Sequence, residues 1–445
     1  MGVVQMLDDL VETKFAAFGP NKRQEIVRLV FEISKRGPVS IDHVLAGIPA
    51  GCKAYAAVKD HLVKLRFPDA CARGEKISES FPAIDLVPAY AMSLSRRDKV
   101  PDPRHIYIED GLEKFELVGR LRSKFPQARF HSINTYKDHV AGMRCDINSY
   151  NHRTDELFVV LEQYDHFKPC PCSGGVVPCG YHNANLGFGC PFECSYCFLQ
   201  NYTNAPGIVL PANLEDFFDA FGLYAQHVRV GSGETTDSLV YDDITGFSPR
   251  IVDFFRSFPR SMFEFKTKSD HVSGLLGVKA SSNIVVGWSV NPQDIIDQEE
   301  HFTASLSDRL DAARRCTQHG YRTAFHFDPV IYGPGWEESY AKVVEEIFNA
   351  VPAQSIVWIS VGSLRMTSAQ KKTIENRFPK NTILDAELLV AEDGKLRYAH
   401  KVRLDIYRKM ISWIKARAHA STQVYLCMET ASMWKDVGVK FHWQF

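Results

Sequence analysis

The segment GFGCPFECSYCFLQNY carries Cys190, Cys194 and Cys197 in the order C-x3-C-x2-C. Thiolates are soft ligands suited to zinc or iron–sulfur clusters, and short spacings let one loop wrap a metal centre without a preformed cage. A structural zinc site takes four closed ligands, usually as separated pairs. Three cysteines in one loop suit a cubane cluster, with one iron left open to an exogenous ligand. A second group, PCPCSGGVVPCGYH, places Cys170, Cys172, Cys179 and His182 within thirteen residues. Three thiolates and an imidazole can hold zinc or an auxiliary iron–sulfur cluster, and the same residues also read as unligated thiols in a glycine-rich loop. The other five of the eleven cysteines, Cys52, Cys71, Cys145, Cys316 and Cys427, are scattered singly and read as small buried apolar side chains. His326 and Asp328 close the run FHFDPVI. An inward histidine and aspartate there can position a substrate or act as an acid–base pair, and a lone strand histidine can equally be a satisfied core residue.

These residues need a scaffold, and the pattern from 181 to 365 supplies one. Strand-like runs YHNANLGF, HVRVGSGE, MFEFKTK, NIVVGWSV, YRTAFHFDPVI and QSIVWISVGSL alternate with the helical segments LEDFFDAFGLYAQ, SPRIVDFFRSF, SLSDRLDAARRCTQHG and EESYAKVVEEIFNAV. Such alternation predicts a parallel sheet, open or curled into part of a barrel, with its site in the loops after the strands' C-terminal ends. Ahead of it, residues 101–180 read as a small α/β lead-in: HIYIE and ELFVVLEQY bracket the helical GLEKFELVGRLRSKF, before the Cys-rich loop. Residues 1–100 form a helical module, a packing unit or a helix-turn-helix reader. Residues 366–445 are helical with a hairpin near VAEDGKLRYAH.

The chain has 445 residues, 45% apolar and 24% charged, an ordinary globular composition with room for two or three domains. Lys plus Arg number 52 against 53 Asp plus Glu, so no global field attracts nucleic acid. Between Arg365 and Arg417, however, 13 Lys and Arg face 6 Asp and Glu, a local surplus of 7 that reads as a polyanion surface or a solvated helix face. No apolar run approaches a membrane span, and the start MGVVQMLDDLVETKF carries acids where a secretion signal carries bases. A cytoplasmic protein is expected, and clustered cysteines in a reducing compartment favour metal over disulfide.

On the three-cysteine loop after a first strand, the sequence resembles the radical S-adenosylmethionine (SAM) superfamily. That resemblance implies a [4Fe-4S] cluster on Cys190, Cys194 and Cys197, with SAM on its open iron. Reductive cleavage of SAM then gives a 5'-deoxyadenosyl radical that abstracts hydrogen from substrate. The fold implied is α/β, a partial (β/α)6 TIM-like barrel of the radical SAM type with an added helical N-terminal module. The likeness sharpens toward the spore photoproduct lyase family, whose members reverse a thymine-dimer lesion in DNA. It runs through CSYCFLQ, FKTKSDHVSGLL, GWSVNPQDII, SLSDRLDAARRCTQHGYRTAFHFDPVIYGPGWEESY and LRMTSAQKKTIENRFP, covering roughly residues 103–380. It implies that Tyr196 lies beside the adenine and takes part in the radical path, and that Lys268 and Ser289 contact SAM. The resemblance further implies that Ser232, Gly233 and Glu234 form the turn that receives the SAM ammonium and that Arg365 joins His326 and Asp328 on the substrate side.

The same turn departs from the family. The lyases carry a cysteine there that returns a hydrogen atom to the product radical, whereas this chain reads GSGETTDS, and Phe198 replaces the loop's second tyrosine. One of the 170–182 thiols can stand in for the missing donor. The expected enzyme takes SAM, a reductant such as flavodoxin or ferredoxin, and a pyrimidine photolesion in DNA. A small molecule or another nucleotide as substrate, and a non-catalytic nucleic-acid-binding protein with a structural metal, are the competing readings.

Overall fold

The computed structural model describes residues 2–37, 39–77, 81–92, 102–143, 145–163, 166–172, 174–202, 205–224 and 228–439. The tips of three expected elements, at 164, 225–226 and 227, lie outside these residues. The chain divides into two compact units, one built from 1–91 with 364–403 and the other from 92–363 with 404–445.

The second unit is organised by an eight-stranded sheet in the order Gln423–Leu426, Ile356–Ser363, Arg322–Val330, Ile284–Ser289, Met262–Thr267, Arg229–Ser232, Tyr181–Ala184 and Phe167–Pro169. The first seven run parallel, and the edge strand Phe167–Pro169 is antiparallel to its neighbour. All six strands read from the sequence are present. The additional parallel strand Gln423–Leu426 follows the helix His400–Lys415. Every residue of Ile284–Ser289 and Ile356–Ser363 is buried, as strands covered on both faces require. Crossover helices lie where the 3.6-residue pattern puts them. In Leu306–His319, Ser305 Oγ accepts the Asp308 N–H at 3.1 Å and starts the helix, and Gly320 ends it.

The sheet curls. Arg229 and Tyr425 stand on strands five places apart in that order, yet the guanidinium donates to the Tyr425 hydroxyl at 2.9 Å. Val176, ahead of the first parallel strand, bridges Thr430 after the last, so the Cys-rich loop runs along the seam where the barrel nearly closes. Arg129–Ile133, His105–Glu109, Glu156–Val160 and Ile208–Pro211 form a separate four-stranded parallel sheet.

In the first unit, Leu7 and Val11, Ile26, Leu29 and Val30, and Val58 and Leu62 meet from three helices, Val3–Lys14, Pro20–Arg36 and Tyr55–Arg66. Leu389 and Ala399, from beside the expected hairpin of Leu388–Val390 and Leu396–Tyr398, join the same core. Several cations of the basic stretch are internal. Arg377, Arg397 and Arg403 are buried, and Lys371 donates to buried Glu32 at 2.6 Å. No helix among the described residues is long and apolar enough to cross a membrane.

Glu32 is the electrostatic centre of this unit. It accepts from Arg28 Nε and Arg66 Nε at 2.7 Å each, while Arg28 also pairs with Glu375. Burial pushes the Glu32 carboxyl up, but Lys371, Arg66 and Arg28 outweigh it and hold the group far below the usual carboxylate range. Removing one partner of a buried charge set costs about 3–5 kcal/mol. Glu32→Ala is therefore expected to lower stability by that order in denaturant unfolding at pH 7. Because the folded-state pKa is depressed, the wild-type advantage is full above the unfolded carboxyl's value of about 4.3 and shrinks as pH falls below it. A gap as large at pH 3 as at pH 7 would contradict this account.

Candidate active site

The first parallel strand, Tyr181–Ala184, leads directly into the three-cysteine loop. A buried arginine from a different part of the chain shapes that loop. Arg153 donates through Nε to the Cys190 carbonyl at 2.8 Å, through Nη2 to the Phe192 carbonyl at 2.9 Å and through Nη1 to Glu193 at 2.6 Å. Glu193–Cys194 pairs antiparallel with Glu300–His301, and Gln200 Nε2 donates to the carbonyls of Ser195 at 2.6 Å and Cys197 at 3.0 Å. Thus the thiols ride on a loop whose backbone is fixed at both ends. Cys194 is buried, Cys190 and Cys197 half-buried, and burial pushes all three thiols up.

Tyr196 points away from solvent. Its hydroxyl donates to Glu300, which also accepts from Arg309 Nη2 at 2.7 Å and Asn291 Nδ2 at 2.8 Å. Burial works against the Glu300 charge, but Arg309 and Lys268 prevail and bring its pKa down to about 2. The phenol therefore has a fixed anionic acceptor. Lys268 Nζ stands 5.6 Å from the Tyr196 ring centroid. The Lys268 backbone N–H is held by Asp237 Oδ2 at 2.7 Å, while Asp237 Oδ1 accepts from the Thr267 hydroxyl at 2.7 Å.

The turn after Arg229–Ser232 is set by Gly233. Gly233 has φ +102°, and a Cβ there would lie 2.7 Å from the Lys266 carbonyl oxygen, so only glycine fits. Ser232 Oγ donates to Ser238 Oγ at 2.8 Å, and Glu234 accepts from Asn183 Nδ2. Ser289 is buried at the end of its strand, its carbonyl accepting from Arg309 Nη1 at 2.9 Å. Cys190, Cys194, Cys197, Tyr196, Lys268, Ser232, Gly233, Glu234 and Ser289 are all carried by loops or strand ends of one unit.

His326 belongs to the barrel interior. Its Nε2 lies 2.7 Å from Glu264 Oε1 and its Nδ1 2.7 Å from Ser360 Oγ. Glu264 also accepts from Arg229 Nη2 at 3.1 Å and Trp358 Nε1 at 2.9 Å. Burial pushes Glu264 up, but His326 and Arg229 more than reverse it; burial likewise drives the His326 pKa down. The consistent assignment is an ionised Glu264 accepting from Nε2–H of a neutral imidazole, with Ser360 donating to Nδ1. Room for this pair comes from Gly287, whose added Cβ would stand 2.5 Å from Glu264 Oε1 and 3.0 Å from His326 Nε2. Asp328 is half-buried two residues further along, before Pro329. Arg365 falls in the other unit, on the short strand Arg365–Met366.

The second cysteine group is regrouped by the fold. Cys170 and Cys172 have their sulfurs 3.9 Å apart, and the Cys170 thiol is raised by Cys172 first, then by burial, Cys179 and Cys427. His182 instead stacks on Phe167, with ring centroids 4.9 Å apart; it alternates with Tyr181, whose hydroxyl lies against Gly231 and Glu264 inside the barrel. Cys427 lies close enough to Cys170 to raise its thiol together with Cys172 and Cys179. Cys427 was read from sequence as a scattered core residue.

Among the described residues, no three or more His, Cys, Asp or Glu side chains converge at a geometry that holds a single metal ion. A cubane asks something different, since each thiolate binds its own iron and the sulfurs stand further apart than around one ion. The donor set fits a cluster on that basis: three thiols on one pinned loop, with the Lys268 ammonium beside Cys194 and Cys197 to offset their charge. The Tyr241 hydroxyl, buried beside Cys190 with no hydrogen-bond partner, is a polar atom awaiting an acceptor.

A parallel part-barrel with a three-cysteine loop directly after its first strand defines the radical SAM class of enzymes, which use a [4Fe-4S] cluster and SAM. Within that class the chain belongs to the spore photoproduct lyase family, whose profile matches residues 102–415. Spore photoproduct lyase of Geobacillus sp. (strain Y412MC61) is 26% identical over 343 residues, spanning 72% of this chain and 97% of the relative. The Bacillus subtilis (strain 168) lyase is 26% identical over 302 residues, 64% of this chain and 85% of the relative. A substituted spore photoproduct lyase with bound AdoMet and dinucleoside spore photoproduct shares the fold at TM-score 0.63 and 22% identity, over 74% of this chain and 99% of that one.

Arg153 escaped the sequence reading because its partners beyond the nearby Tyr150 carbonyl lie 37 to 40 residues away. Arg153→Lys keeps the charge but loses the planar fork that spans three carbonyls and a carboxylate. Iron affinity after anaerobic reconstitution is expected to fall roughly 10–100-fold, the range for groups that orient ligands. Unchanged iron retention in a chelator competition would show that the fork does not shape the loop.

Proposed function

We propose that the chain acts on a thymine photolesion in DNA, the substrate class named for its relatives, through Cys190, Cys194 and Cys197 as cluster ligands. The observation that carries this reading is the arrangement of the three thiols, Tyr196, Lys268 and the Ser232–Gly233–Glu234 turn around the C-terminal ends of the first barrel strands. With cluster and SAM bound, the site is supplied with a primary carbon radical that takes a hydrogen atom from substrate.

The chain's own residues bind and orient. Glu234, held by Asn183, offers a carboxylate for the SAM ammonium, and Gly233 lets the cofactor approach the backbone. Lys268 and Ser289 supply donors for its carboxylate and ribose. Tyr196, fixed by Glu300, places a ring at the adenine. His326, with both ring nitrogens engaged, is assigned a positioning part inside the barrel, and Asp328, two residues further along the same strand, is assigned to substrate. Flavodoxin or ferredoxin is proposed as reductant, in the cytoplasm.

The test is anaerobic reconstitution with SAM, dithionite and DNA bearing spore photoproduct. Thymine recovery and 5'-deoxyadenosine are expected from the wild type, and neither from a Cys190→Ala, Cys194→Ala, Cys197→Ala triple variant. The thiol-free turn at Ser232–Gly233–Glu234 favours a second reading, a small-molecule substrate. Vigorous SAM cleavage without thymine recovery would establish that alternative.

A further inference from the structure

A buried hydroxyl stands without a partner next to the cysteine loop. Tyr241 is 3% exposed, and its hydroxyl has no hydrogen-bond partner among the described residues. Buried polar groups are as a rule satisfied, so such an orphan marks a place for an acceptor. The backbone around it is fixed. The Tyr241 carbonyl accepts the N–H groups of Ile244 at 2.9 Å and Thr245 at 2.8 Å, at the start of the short helix Asp242–Thr245. The turn ahead of Tyr241 is strapped to the cysteine loop. Gly189, directly before Cys190, donates its N–H to the Thr235 carbonyl at 2.8 Å, and the Thr235 hydroxyl donates to the Gly187 carbonyl at 2.7 Å.

The ionisable groups that act on this hydroxyl are, strongest first, Cys190, Arg153, Asp237 and Tyr150. Most of them have nothing to offer it. Arg153 carries donors only. Asp237 already accepts four hydrogens, from the N–H groups of Leu239 and Val240 at 3.0 Å each, the Thr267 hydroxyl at 2.7 Å and the Lys268 N–H at 2.7 Å. Tyr150 acts most weakly of the four and lies with its ring against the Arg153 guanidinium at 4.0 Å. That leaves the Cys190 sulfur, which takes one hydrogen bond from the Phe192 N–H. A thiol is a weak acceptor, whereas a ligating thiolate carries charge and free lone pairs.

We propose that the Tyr241 hydroxyl donates to the Cys190 thiolate when that sulfur ligates the cluster, and that this bond raises the cluster's reduction potential. The inference rests on the reading of Cys190 as a ligand. Hydrogen bonds to ligand sulfurs are one of the levers that set such potentials. Reduction adds an electron whose charge spreads onto the sulfurs, so a donor there favours the reduced form more than the oxidised one. Tyr241 is therefore a positioning residue: it acts through Cys190 and touches neither SAM nor substrate.

The test compares the full-length wild type with Tyr241→Phe, which removes one oxygen and keeps the ring. Both are reconstituted anaerobically with iron and sulfide, and the cluster is titrated by paramagnetic resonance without SAM or substrate. Tyr241→Phe is expected to hold as much iron and sulfide as wild type. At the wild-type midpoint its ratio of reduced to oxidised cluster is expected to fall by about three- to tenfold, the upper figure being about 59 mV for one electron. A second readout is independent of the potential. After reconstitution in D2O, pulsed resonance of the reduced wild type is expected to show an exchangeable deuteron coupled to the cluster that Tyr241→Phe lacks. An unchanged midpoint, or the same set of deuteron couplings in both proteins, would overturn the inference while leaving the cluster in place. If the wild type assembles no cluster, or if Cys190→Ala assembles one with the wild-type signal, the ligand reading beneath it falls instead.

Discussion

A carboxylate taken out of water needs a compensating partner where it stands, and among the described residues of the barrel unit three buried arginines each supply one. Glu193 pairs with Arg153, Glu264 with Arg229 and Glu300 with Arg309, all essentially inaccessible to solvent. Such pairs add little net stability compared with apolar packing, but losing either partner is severe, so they dictate a single arrangement. Each governs a different part of the site. The first shapes the cysteine loop, the second locks His326 and joins strands across the barrel, and the third supplies the acceptor for Tyr196.

The regular elements were legible because their signals are local. Apolar-rich strand runs alternating with amphipathic helices marked the six central strands, and the C-x3-C-x2-C loop pointed to the chemistry. What stayed hidden depends on contacts distant in sequence. Arg153 reads as an ordinary arginine until the fold sets it under Cys190, and Glu300 as one of several acids until a chain excursion of 104 residues brings it to Tyr196. Strand Gln423–Leu426 is four residues long, too short for a period to register.

The cysteines show the same limit. Spacing groups His182 with three thiols, and the fold adds a stacking partner on strand Phe167–Pro169 that spacing does not show. Cys427, 248 residues after Cys179 in sequence, comes close enough to raise the Cys170 thiol because the curled sheet brings its last strand back to the loop before its first.

The discontinuous first unit has a consequence for how the protein is made. Residues 1–91 leave the ribosome long before 364–403, which contribute Leu389 and Ala399 to their core and Lys371 and Glu375 to their buried charges. At about 5–20 residues per second the interval is roughly 15–55 s. Throughout it, nascent N-terminal helices carry an apolar face and an arginine-rich pocket without their late-arriving complement. Translation speed and chaperone capture thus bear directly on whether this unit assembles.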